Sequence, residues 1–100
     1  MNDPKEIDIS KLDKAAVLAA LYNASRPLGM GFMHYTATDM TRDEAAELLK
    51  RAGERPYFDY LKGRVMKIDL SGSTLKPWLY DRDNGQGAAQ RVIDTLAATN

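Results

Sequence analysis

Apolar residues recur at helical spacing in three stretches of this chain and alternate with polar ones in a fourth. From Lys11 to about Ser25, Leu12, Ala15, Leu18, Ala19, Leu21 and Tyr22 form a broad stripe that predicts a helix. Ser10 precedes it as an N-cap with Asp13 three residues on, a short-armed capping box, and Pro27 and Gly29 end it. Thr41-Arg42-Asp43-Glu44 is a full capping box. Behind it Ala45, Leu48, Leu49 and Ala52 share one face and Gly53 stands at the C′ position, which predicts a second helix over about 42–52. A third opens at Asn84 or Gly85 and carries Ala89, Val92, Ile93 and Leu96 on its face. Arg64 to Leu70 alternates instead. Met66, Ile68 and Leu70 point one way while Val65, Lys67 and Asp69 point the other, the period of a strand with one buried side.

The intervening pieces are shorter. Glycines followed by the aromatic run Phe32-Met33-His34-Tyr35 suit a short strand over 31–36. Pro56 to Gly63 reads as a helical turn closed by its glycine. Ser71-Gly72-Ser73 is a turn, and Pro77 disfavours regular pairing nearby. Residues 1–9 are polar and without period, a flexible N-terminal arm. The order helix, strand, helix, strand, helix predicts a single α+β domain over 10–100. Its small antiparallel sheet of two or three strands is packed with three helices, and the third strand comes from 74–80 or from a partner chain. An all-helical bundle with a stray hairpin is the rival arrangement.

Composition narrows the function classes. The chain has 100 residues, of which 44% are hydrophobic, enough for one core but not two. So small a domain buries only about 60–65% of its unfolded surface, which leaves homo-oligomerisation open. Fourteen basic residues balance fourteen acidic ones, against the basic excess of a generic nucleic-acid binder and the acidic excess of a DNA mimic. No cysteine is present, so disulfides, thiolate chemistry and cysteine-ligated zinc are excluded. No leader pattern and no membrane-length apolar run occurs, so a soluble, cytoplasmic protein is expected.

Candidate chemistry concentrates in Tyr80-Asp81-Arg82-Asp83-Asn84-Gly85-Gln86-Gly87, a charged, glycine-punctuated stretch entering the third helix. A calcium loop needs oxygen ligands at alternate positions, a central glycine and a closing glutamate. Here Asn84 and Gly85 come one place early and Val92 holds the closing position counted from Asp81, so the stretch departs from that pattern. An Asx-turn with N-cap is the plainer account. Gly85-Gln86-Gly87 offers N–H groups to an anion at a helix start, yet it lacks the lysine of a phosphate loop and the third glycine of a dinucleotide fingerprint. Asn23 and Ser25 are poor helix-interior residues and serve either as a C-terminal stop or, with Arg26, as the wall of a pocket with Phe32 and Tyr35. Arg64, Lys67 and Asp69 lie near or on the strand's polar face, with Tyr57 and Tyr60 just before it, a mixture suited to stacking a base or gripping a protein and equally to a solvated sheet face. His34 is the only histidine and builds no metal site alone.

The segments Leu21-Tyr22-Asn23-Ala24-Ser25, Phe58 to Lys67 and Tyr80 to Gly85 together resemble a set of small phage and prophage proteins, the likeness spanning about residues 18–95. Proteins of that kind and size often inhibit or sequester host machinery, which the resemblance implies as context here. The expected function is a non-catalytic binding protein that recognises a nucleotide-like small molecule or a host protein, without cofactor or metal. The expected surface combines Asn23, Arg26, Tyr35, Arg64, Lys67, Tyr80, Asp81, Arg82 and Asn84. Two alternatives stand beside it: a small enzyme using Asp and Arg side chains of the 64–69 and 80–85 segments, and a structural assembly subunit.

Overall fold

A computed structural model describes residues 5–27 and 38–99. The strand expected over 31–36, with His34 and Tyr35, lies outside the described residues. The first helix, α1 (Lys14–Ala24), begins later than the stripe suggests because Asp13, not Ser10, is its N-cap. The Asp13 carboxylate accepts from Ala15 N at 3.3 Å, while the Ser10 amide is already taken by the Asp8 carboxylate at 2.9 Å. Helix α2 (Arg42–Ala52) has the expected bounds, with both halves of the Thr41/Glu44 capping box formed. Of its expected core face only Ala45 is fully buried; Leu48 and Leu49 are half-buried.

Before these helices, β1 (Ile7–Asp8) replaces part of the loose arm. It pairs antiparallel with β4 (Thr74–Leu75), and Ile7 and Ile9 enter the core. Two isoleucines are too much apolar surface to leave in water once a partner strand is within reach. The 56–63 segment is likewise not a helical turn. It is β2 (Tyr57–Leu61), joined to β3 (Arg64–Asp69) in an antiparallel hairpin with a bulge near Asp59. Lys62 and Gly63 both take positive φ, 48° and 82°, the conformation that lets a two-residue loop match the strand twist. The glycine read as a helix stop is a hairpin glycine.

Two further helices follow. Pro77 starts α3 (Trp78–Asn84), so the 74–80 segment supplies only the two residues of β4 before turning helical. The last helix, α4 (Ala88–Thr99), buries Ala88, Ala89 and Ile93, with Val92 and Leu96 half-buried against the core. Helix α1 is the hub: it packs on α2, α4 and β3, and its Val17, Leu18, Leu21 and Tyr22 are fully buried beside Met66, Ile68, Leu70, Leu75 and Tyr80. The α+β class holds. Among the described residues it comprises four helices rather than three, and two two-stranded sheets rather than one sheet.

Candidate functional site

Six of the expected site residues gather at the C-terminal end of α1, where the last carbonyls of any helix need partners, and at the α3–α4 reversal beside it. Helix α1 has no basic residue in its last turn. Arg64, reaching across from β3, supplies the missing cation. Its Nη1 donates to the carbonyls of Tyr22 (3.1 Å), Asn23 (2.9 Å) and Ser25 (3.3 Å). The guanidinium lies 4.8 Å from the centroid of the Tyr22 ring and its Nη2 is 3.6 Å from the Asp39 carboxylate. A charge here complements the negative end of the helix dipole, and the aromatic face adds a cation–π contact. Only 8% of Arg64 is exposed.

Helix α3 presents the next three. The Tyr80 hydroxyl donates to Leu21 O at 2.7 Å from a fully buried position, and burial together with the Asp81 charge pushes its phenol well up, against the opposing influence of Arg64. Asn84, expected to open the third helix, instead ends α3. Its amide donates to Val65 O (3.2 Å) and Tyr80 O (3.0 Å), and its carbonyl accepts from Arg26 N (2.5 Å). Arg26 completes the contact by donating from Nε to Asp83 O at 3.1 Å, while its own carbonyl accepts from Val65 N. The Asn23 amide is closed in the same way: both its atoms bond the backbone of Met40, at 2.7 and 3.1 Å.

Asp81 explains the glycine-rich stretch. Its two carboxylate oxygens accept from Gly87 N (3.1 Å) and Ala89 N (3.0 Å). The anion expected at the start of the last helix is therefore the protein's own, six and eight residues upstream, placed where a carboxylate is favoured. Asp81 and Asn84 thus have their oxygens engaged by N–H donors, the opposite of what a calcium site requires. Gly85 and Gly87, at φ 109° and 77°, permit the chain reversal between α3 and α4.

Three residues of the expected surface are not in this cluster. Arg82 is exposed and 3.6 Å from the Asp83 carboxylate. Lys67 is half-buried on the opposite side of β3 from Arg64, since alternate strand residues face opposite ways. Tyr35 lies outside the described residues. Beside Lys67 the register assembles a surface the expected list omitted. Tyr57 pairs with Asp69 and Tyr60 with Val65, so the bulge brings both tyrosines onto the Val65–Lys67–Asp69 face. They are 53% and 57% exposed. A second feature, the groove between α1 and α4, also went unlisted; its volume is about 560 Å³. Among the described residues no three His, Cys, Asp or Glu side chains gather to hold a metal ion, and no helix is long and apolar enough to cross a membrane.

No protein-family model matches the chain, and neither the curated proteins nor the solved structures compared with it give a significant match.

Proposed function

We propose that this chain is a small non-catalytic binding protein that grips a host protein through the outer face of the β2–β3 hairpin, in the manner of a phage-encoded inhibitor or sequestering protein. The carrying observation is the exposure of Tyr57 and Tyr60 on one face with Lys67 and Asp69. Tyrosine combines a large apolar ring with a polar tip at small entropic cost, and it is enriched among residues that dominate protein interfaces. The polar groups that would line a small-molecule pocket are spent on backbone partners, which favours a protein over a nucleotide-like ligand. An enzymatic reading loses its best base on this face. Asp69 accepts hydrogen bonds from the Ser71 hydroxyl and amide, which holds its carboxyl below the usual range and makes it a weak proton acceptor at neutral pH.

The test is native mass spectrometry of tagged protein recovered from host cells, for the natural chain and for a Tyr57→Ala/Tyr60→Ala double variant. A protein partner is expected on the natural chain, with affinity for the double variant lowered by about tenfold or more and its melting temperature unchanged. A partner held equally well by the double variant, or a bound nucleotide instead of a protein, overturns the proposal.

A further inference from the structure

The groove between α1 and α4 is lined mainly by small and aliphatic side chains with a single charged one. Ala20 and Ala24 line it from α1, one turn apart, and Val92 and Leu96 line it from α4, again one turn apart. Such rows form the trough into which a third helix packs its ridge. On α4 the lining runs from Arg91 to Thr99, so the trough offers about 12 Å of length, matched to two to three turns of a ligand helix.

A single ionic group, Arg91, lines this trough, and no carboxylate does. Arg91 makes no ion pair among the described residues; its Nη1 donates to Gln86 O at 3.0 Å. That bond lays the guanidinium back over the Gly85–Gly87 reversal, where a Cβ on Gly87 would stand 3.1 Å from Nη1. The glycine at 87 leaves the space the arginine occupies. The cation is thus held in place by one bond while Nε and Nη2 keep their donors for another group, and a guanidinium beside apolar surface is well suited to a carboxylate presented in fork geometry.

From this we infer that the α1/α4 groove binds an amphipathic helix of a different protein, one that carries a carboxylate beside its apolar stripe to meet Arg91. Charge decides against a second copy as the occupant. A twofold contact places the same lining against itself and sets two cations against each other, and the one acid of α4 near that lining, Asp94, already accepts from Gln90 Nε2 at 2.8 Å. The inference is independent of the hairpin proposal, because it rests on other residues and another face.

The experiment uses two synthetic peptides of about 15 residues, long enough to span the trough as a helix. Both carry leucines at i, i+4, i+7 and i+11; one has a glutamate beside the stripe and the other a lysine. Binding to the natural chain, to Arg91→Gln and to Ala24→Trp is followed by fluorescence anisotropy and by amide chemical shifts, with a sizing measurement of each protein alone. The glutamate peptide is expected to bind the natural chain at least tenfold tighter than the lysine peptide. Arg91→Gln should erase that preference, and Ala24→Trp, which fills the trough from an exposed position, should abolish binding. Equal binding of the two peptides, no binding of either, or shifts confined to the hairpin overturns the inference. So does dimerisation that Ala24→Trp disrupts, which makes a second copy the occupant. Dodecanoate serves as a further arm: if it shifts the groove residues and neither peptide does, the trough takes a lipid chain and the inference fails.

Discussion

Around the C-terminal end of α1 the protein gathers its most chemically expressive side chains: Arg64, Tyr80, Asp81, Asn84, Asn23 and Arg26. Along the flank of α1 and α4 it places alanine, valine, leucine, threonine and one arginine, with Asn23 standing where the two regions meet. The first region has little to offer a partner. Its guanidiniums, phenol, carboxylate and amides are bonded to twelve backbone groups, among them the terminal carbonyls of α1 and the first amides of α4. The second has few polar groups, yet its apolar surface and most of its one charge remain unpartnered. Chemical variety in a sequence is evidence of demand for hydrogen bonds, and helix ends create that demand as readily as ligands do.

If the first region is a clasp, removing its central cation should have the largest effect. Arg64→Ala takes donors from three helix-terminal carbonyls and unpacks the Tyr22 ring, and we expect a loss of about 3 kcal/mol in urea unfolding. Tyr80→Phe should cost about 1–2 kcal/mol at neutral pH by leaving Leu21 O without its buried donor. It should also change the alkaline limb. The folded phenol ionises above the ordinary value of 10.0, so the contribution of this group to stability is complete below about pH 10 and is lost as pH rises beyond it. Thermal melts from pH 8 to 11 should therefore fall less steeply for Tyr80→Phe than for the natural chain.

Asp81→Ala removes the cap of α4 and should cost about 1 kcal/mol, with fraying confined to the first turn of that helix by hydrogen exchange. Calcium marks the bottom of the scale. Because Asp81 and Asn84 accept from N–H groups, millimolar calcium should leave the melting temperature unchanged, and a saturable rise absent with magnesium would break the assignment of these oxygens.

Much of the fold was legible because local rules and tertiary structure agreed. Thr41 and Glu44 specify α2 to the residue, and the Met66–Ile68–Leu70 alternation specifies the buried side of β3. The misses have local causes. Lys62-Gly63 looked like a helix terminus because a two-residue hairpin loop and a helix stop both ask for glycine. Ile7 and Ile9 were passed over since their partner strand lies nearly seventy residues away. Helix α3 escapes the sequence, which offers 74–80 as a third strand and the stretch from Tyr80 as the entry to the last helix, because its polar positions answer long-range needs, Asn84 serving Arg26 and Val65 and not its own helix alone. For the site, sequence gathered six residues that do meet, and mistook why they meet. Tyr57 and Tyr60 stand out in the sequence beside Lys67 and Asp69, though only the hairpin register shows that all four share one face, and Arg91 gains its meaning only from the Gly85–Gly87 reversal.

The contrast between closed clasp and open groove comes down to two polar residues on either side of the α3–α4 reversal, Asn84 and Arg91. Equilibrium urea unfolding of Asn84→Ala and Arg91→Ala, side by side with the natural chain, tests it most directly. Asn84 bonds three backbone groups of three segments, so its loss should lower stability by about 2 kcal/mol. Arg91 is exposed and makes a single hydrogen bond, so its loss should stay within about 0.5 kcal/mol. Equal losses, or a larger one for Arg91, would contradict the division of the molecule into a polar region that holds the fold and an apolar one left free to bind.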